Sequence, residues 1–137
     1  MKISARNQFE GIVSHVKEGV VNGIVTIKSQ DETITATISM DAIRELGLTE
    51  GAHAVAIVKA TEVMMGLGAL KLSARNQFVG TIEKINRGAV NAIVTLSLKD
   101  GVKISSTISL AAVEELGLAE GMEATAVIKA TSVMIGA

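Results

Sequence analysis

Apolar and polar positions along the first part of the chain follow a strand period. Phe9, Gly11 and Val13 alternate with the polar Glu10, and Ile12 falls out of phase. The β-branched run Val20-Val21-Asn22-Gly23-Ile24-Val25-Thr26-Ile27 predicts a stronger strand, with Lys17-Glu18-Gly19 as the hairpin turn before it. A third strand is expected from Thr33 to Ser39, where Ile34, Ala36 and Ile38 alternate with Thr33, Thr35 and Thr37. Met40 to Leu46 predicts a short helix with Ser39 as N-cap and Gly47 as its stop. After a turn at Thr49-Glu50-Gly51, a last strand is expected from about Ala52 to Met64, its continuous apolar centre implying burial on both faces. If the long first segment bends to serve two sheets, three strands, a helical turn and a strand make a small OB-like barrel.

The same pattern is written twice. Ser4-Ala5-Arg6-Asn7-Gln8-Phe9 returns as Ser73-Ala74-Arg75-Asn76-Gln77-Phe78, and Thr37-Ile38-Ser39 and Lys59-Ala60-Thr61 return as Thr107-Ile108-Ser109 and Lys129-Ala130-Thr131. The offset is 69 in the first block and 70 after it, which places a one-residue insertion near Lys99-Asp100-Gly101, at a hairpin turn. Identities of 13 in 25 for residues 3 to 27, and 17 in 28 for residues 37 to 64, make this two copies of one fold. The expected division is a first domain at 1–65, a short linker at 66–70 and a second domain at 71–137. The linker region Met64-Met65-Gly66-Leu67-Gly68-Ala69-Leu70 is apolar, and so predicts that the halves pack as one unit. The fold class is all-β with short helical turns, in two tandem OB-like β-barrel domains.

Composition narrows the chemistry. Of the 137 residues 48% are hydrophobic, but there are two Phe and no Tyr, Trp, Cys or Pro. No cysteine means no disulfide framework, thiolate metal site or cysteine nucleophile. A net charge of -1 and two aromatic rings exclude the field and the stacking platform of a generic nucleic-acid binder. The opening Met1-Lys2-Ile3-Ser4-Ala5-Arg6 has no signal-peptide core, and no apolar run is long enough to span a bilayer; a cytoplasmic protein with no membrane partner is expected. Repeats this small bury little surface, so the aliphatic surplus predicts a homo-oligomer.

Chemistry needed by both copies must occur in both. His15 corresponds to Lys84, His53 to Glu123, Asp41 to Ala111 and Glu10 to Val79, so no histidine site or carboxylate pair repeats, and an enzyme is not expected. Glu45, Glu115, Glu50 and Glu120 repeat as solvated charges of a helix and a turn. The other repeated polar groups are cationic and hydroxylic. Two readings of Lys59 and Lys129 are open: a strand-end lysine with its stem over apolar surface, or a cation that converges with Arg6, Ser4 and Ser39 on an oxyanion. Ser39 as a cap and Ser39 as an anion donor are compatible roles. Gly19-Val20-Val21-Asn22 and Gly88-Ala89-Val90-Asn91 read either as hairpin chemistry or as a second anion contact, through Gly19, Val20, Asn22, Gly88, Ala89 and Asn91.

Ser-Ala-Arg-Asn-Gln, Gly-x-Val-Asn, a short helix ending Leu-Gly-Leu, and Ile/Val-Lys-Ala-Thr-x-Val, in that order and twice, resemble the molbindin or Mop domain in its tandem form. The resemblance covers nearly the whole chain. It implies an OB-like fold, binding of molybdate and often tungstate, and a homotrimer with sites at subunit interfaces. The ligands it implies are Ser4, Arg6, Ser39 and Lys59, with Ser73, Arg75, Ser109 and Lys129, and no metal is bound directly by side chains. Other members carry Thr at the Ser39 and Ser109 positions, so serine there preserves a donor; many carry a hydroxyl residue where Ala42 and Ala112 stand, so alanine there removes one. The function implied is intracellular molybdate storage and homeostasis; the alternative is a molybdate-sensing oligomerisation module acting with a partner protein.

Overall fold

A computed structural model describes residues 2–68 and 71–137. Ala69 and Leu70, at the end of the expected linker, lie outside the described residues. The first copy supplies β1 (Asn7–Lys17), β2 (Asn22–Ser29), β3 (Glu32–Ser39), α1 (Met40–Glu45), β4 (His53–Val58) and β5 (Met64–Gly66). The second supplies β6 (Asn76–Arg87), β7 (Asn91–Ser97), β8 (Lys103–Ser109), α2 (Leu110–Leu116), β9 (Glu123–Ile128) and β10 (Met134–Gly136).

Two compact units result. The first runs to Val58 and resumes at Lys129–Ala137; its five-stranded antiparallel sheet has the order β10-β4-β1-β2-β3. Long β1 pairs with β4 from Asn7 to Ile12 and with β2 from Ile12 to Lys17, so it serves both sides of the unit. A bulge between Val13 and His15 accommodates the change of partner. Val13, Val25, Ile27, Ile34 and Ala36 face inward and are almost wholly buried. Ile12, the residue out of phase, is 37% exposed, because the strand directs it away from that core.

The second unit, Lys59–Ile128, is built alike, with the order β5-β9-β6-β7-β8 and Ile82, Val94, Leu96 and Ile104 in its core. Its β7–β8 turn carries the inserted residue. Leu98 N donates to Val102 O, Gly101 N to Leu98 O, and Asp100 Oδ1 accepts from Val102 N at 3.2 Å. Each unit is an OB-like β-barrel with one short α-helix and one 3-10 turn.

The last segment departs from the sequence expectation. The strand expected from Ala52 to Met64 ends at Val58, turns through a 3-10 segment at Ala60–Glu62, and resumes as β5 on β9 of the second unit. Lys129–Ala137 does the equivalent: its 3-10 turn at Ala130–Ser132 leads into β10, which pairs with β4. The sequence repeat and the compact unit are therefore different divisions of the chain. In the second unit the 3-10 turn is fastened to β8, where the wholly buried Ser106 donates from Oγ to Val63 O at 2.5 Å. The strand expected from Val20 starts instead at Asn22, leaving Val20 and Val21 in the turn, 95% and 73% exposed.

Candidate functional site

Ser39 caps α1 as expected: its Oγ accepts from Ala42 N at 3.1 Å, and Ser109 accepts from Ala112 N at 3.0 Å in α2. The cap occupies an acceptor lone pair and leaves each hydroxyl proton to be donated outward. Ser39→Ala is expected to lower the stability of the ligand-free protein by about 1 kcal/mol, checked by thermal unfolding.

The β2–β3 register places Asn22 opposite Ser39, and Val21 O accepts from Met40 N at 2.8 Å. In the second unit Asn91 stands opposite Ser109, and Val90 O accepts from Leu110 N at 2.8 Å. The Gly-x-Val-Asn turn and the serine cap, whose Asn and Ser stand 17 residues apart in the first copy and 18 in the second, thus share one corner in each unit. A depression of about 230 Å³ beside the first corner is lined by Lys17, Gly19, Asn22 and Thr37 among others. Val20 and Ala89 project from the exposed turn tips, flanked by Gly19 and Gly88.

Ser4 and Arg6 lie on the exposed segment leading into β1, between and beside the buried Ala5 and Asn7. The β1–β4 ladder ends on the pair Asn7 and Val58, so Arg6 and Lys59 are the residues that leave this ladder at the same end. The β6–β9 ladder ends likewise on Asn76 and Ile128, next to Arg75 and Lys129, with Ser73 two residues before Arg75. Lys59 and Lys129 are exposed, yet each is flanked by buried residues, Val58 and Ala60 or Ile128 and Ala130. Among the described residues, Arg6, Arg75, Lys59 and Lys129 make no salt bridge; carboxylates instead meet His15, Arg44 and Lys103.

Within the first unit, Arg6 and Ser39 are not brought together. Arg6 precedes β1, whereas Ser39 and Asn22 lie beyond its other end, where Lys17 pairs with Ile24. Ten residues of strand separate Asn7 from Lys17, a path of roughly 33 Å. Donors to one oxyanion must each approach to about 3 Å. No local pattern signals this separation, because it depends on how the strands pair. The juxtaposition of the Asn turn with the serine cap was missed for the same reason; its only sequence signal was that both elements repeat. Among the described residues no cluster of three or more His, Cys, Asp or Glu is arranged to hold a metal ion, and no helix is long and apolar enough to cross a membrane.

The TOBE domain family model matches residues 3–65 and again 72–135. A molybdenum transport protein, ModE, of Herbaspirillum seropedicae is 40% identical over 98% of this chain and 51% of its own length. The chain thus spans about half the length of the ModE proteins it matches. A probable molybdenum-pterin-binding protein of Haemophilus influenzae is 57% identical over 49% of this chain and 97% of its own. Among solved structures, the cytoplasmic molybdate-binding protein ModG with molybdate bound is 46% identical, covers 99% of both chains and superposes with a TM-score of 0.96.

Proposed function

The chain belongs to the TOBE domain family as a tandem molbindin, and we propose that it binds molybdate in the cytoplasm and stores or buffers it without transforming it. The observation that carries this reading is the twice-repeated set of exposed cations with no carboxylate partner among the described residues. Ser4, Arg6 and Lys59, with Ser73, Arg75 and Lys129, supply cationic and hydroxyl donors, and Ser39 and Ser109 supply hydroxyl protons from the capped corners.

Molybdate is a tetrahedral dianion that only accepts hydrogen bonds, so a ring of donors satisfies it completely. Monoprotonated phosphate would bring a proton with no acceptor to receive it, at a cost of about 1 to 3 kcal/mol. Tungstate has the same charge and shape and binds to the same donors. The placement of Arg6 and Ser39 beyond opposite ends of β1 supports sites completed between copies of the chain, in a homotrimer whose interfaces join the two kinds of half-site. Gly19, Val20 and Asn22, with Gly88, Ala89 and Asn91, contribute a second anion contact at the turns, and exposed Val20, Val21 and Val90 are the apolar surface there. Similarity to a molybdate-binding protein over 99% of both chains favours binding and buffering over a sensing module.

Calorimetric titration with sodium molybdate, together with solution mass and thermal unfolding, tests the proposal. Heat of binding, a trimeric mass and a melting temperature raised by saturating molybdate are expected, since a ligand that binds only the folded assembly stabilises it by mass action. A chain that gives neither heat nor thermal protection does not bind molybdate, and a monomeric mass removes the interface sites.

A further inference from the structure

We propose that Asn76 and Gln77 are positioning residues of the oxyanion site, holding the segment Ser73–Arg75 from which two of its ligands project; this rests on the molybdate reading above. Of the hexapeptide common to both copies, Ser and Arg are taken up by the anion and Phe78 by the core, where it is 6% exposed. That leaves the two amides without a role. Asparagine is disfavoured in strands, and a buried one needs its polar atoms bonded. Asn76, the first residue of β6, is 2% exposed and donates from Nδ2 to Ile128 O at 3.3 Å. It therefore ties the backbone just after Arg75 to the last residue of β9.

Gln77 acts from the other side. Its Nε2 donates to Ala74 O at 3.2 Å, so the side chain reaches back across Arg75 to hold the peptide before it. The first unit repeats the arrangement. Gln8 Nε2 donates to Ala5 O at 3.0 Å and to Ile3 O at 3.3 Å, and these two carbonyls flank Ser4. Asn7 is buried to the same 2% as Asn76, opposite Val58 in the register. In each unit an exposed arginine thus grows from a backbone fixed before it by a glutamine and after it by the ladder. A segment already held in its bound shape loses less freedom when the anion is captured.

The test uses the full chain, sodium molybdate and calorimetry, with thermal unfolding alongside. Gln77→Ala removes a partly exposed side chain and is expected to fold; Asn76→Asp keeps the outline and volume but loses the Nδ2 donor. Both are expected to weaken, about tenfold, only those sites that use Arg75, while sites that use Arg6 keep their affinity in the same molecule. A purely structural role would weaken all sites alike. In an Arg75→Ala background, Gln77→Ala should change the affinity of the affected sites less than about twofold, since its effect passes through Arg75. Ser29→Ala, which removes the 2.6 Å bond from Ser29 Oγ to Glu10 O, should lower the melting temperature and leave affinity unchanged. Heat equal to that of the unaltered chain in Gln77→Ala, uniform weakening, or full additivity with Arg75→Ala overturns the positioning roles alone. No heat from the unaltered chain overturns the molybdate reading and these roles with it.

Discussion

Replacing Arg6 and Arg75 together by alanine will lower molybdate affinity about a hundredfold while leaving the ligand-free protein as stable as before. Hydrogen bonds to a charged group contribute roughly 1.5 to 3 kcal/mol, and a guanidinium can present two of them to one tetrahedral face. A loss of about 3 kcal/mol corresponds to roughly two decades in the dissociation constant. Both arginines are exposed and make no salt bridge among the described residues, so their removal breaks no ion pair there. Stability should then stay within about 0.5 kcal/mol. Calorimetry of the double variant checks affinity, and urea unfolding without ligand checks stability. Unfolding at lower urea with affinity intact would make the arginines structural. Lys59→Ala with Lys129→Ala should act in the same direction but more weakly, because an ammonium is a point charge without the planar fork.

The largest expected loss of stability comes from a position with no polar group at all. Gly11→Ala should destabilise the first unit by about 2 to 3 kcal/mol, and Gly80→Ala the second by a similar amount. A β-carbon on Gly11 would collide with the Lys28 carbonyl, and one on Gly80 would lie 2.5 Å from Ser97 O. Neither residue has a left-handed backbone, so conformational freedom is not the cause; the cause is the close approach of backbone, which cannot rotate aside as a side chain can. Each lies next to the residue at which its strand passes from one partner to the other, Ile12 in β1 and Thr81 in β6. Urea midpoints check the prediction, and an unchanged midpoint for Gly11→Ala would mean that β1 can shift away from β2 at no cost.

Much of each unit was legible because it depends on neighbours in sequence. The alternation of Ile34 and Ala36 with threonines gave β3 its inward face, and both are 1% exposed. Ser39 announced its cap, since a hydroxyl before a helix reaches a backbone N–H three residues on. The insertion at Lys99-Asp100-Gly101 fell in a turn, where an added residue disturbs no ladder. By contrast, Val20 and Val21 have strand propensity but occupy the turn, because Asn22 is where β2 takes up its register with β3. Propensity ranks residues for a pleated surface; it does not say where that surface begins.

The site divides along the same line. Exact repetition marks Ser4, Arg6, Ser39 and Lys59 and their second-copy equivalents as donors common to both copies, and the lack of a repeated histidine or carboxylate pair points to oxyanion binding rather than catalysis. Pairing decided which of them could share a ligand. Arg6 and Ser39 lie beyond opposite ends of β1, while Asn22 and Ser39 face each other across two strands. The final strands show most plainly why local pattern was insufficient. Met64-Met65-Gly66 and Met134-Ile135-Gly136 are nearly the same tripeptide, and β4 and β9 share a small-and-aliphatic pattern, so side-chain pattern is satisfied by either pairing. The sequence by itself determined the duplication, the inward faces, the caps and the kinds of donor available to a ligand. Only the tertiary structure decided which copy each last strand completes and which donors are neighbours, because hydrogen-bonded register joins residues far apart in the chain and leaves no periodic mark on either of them.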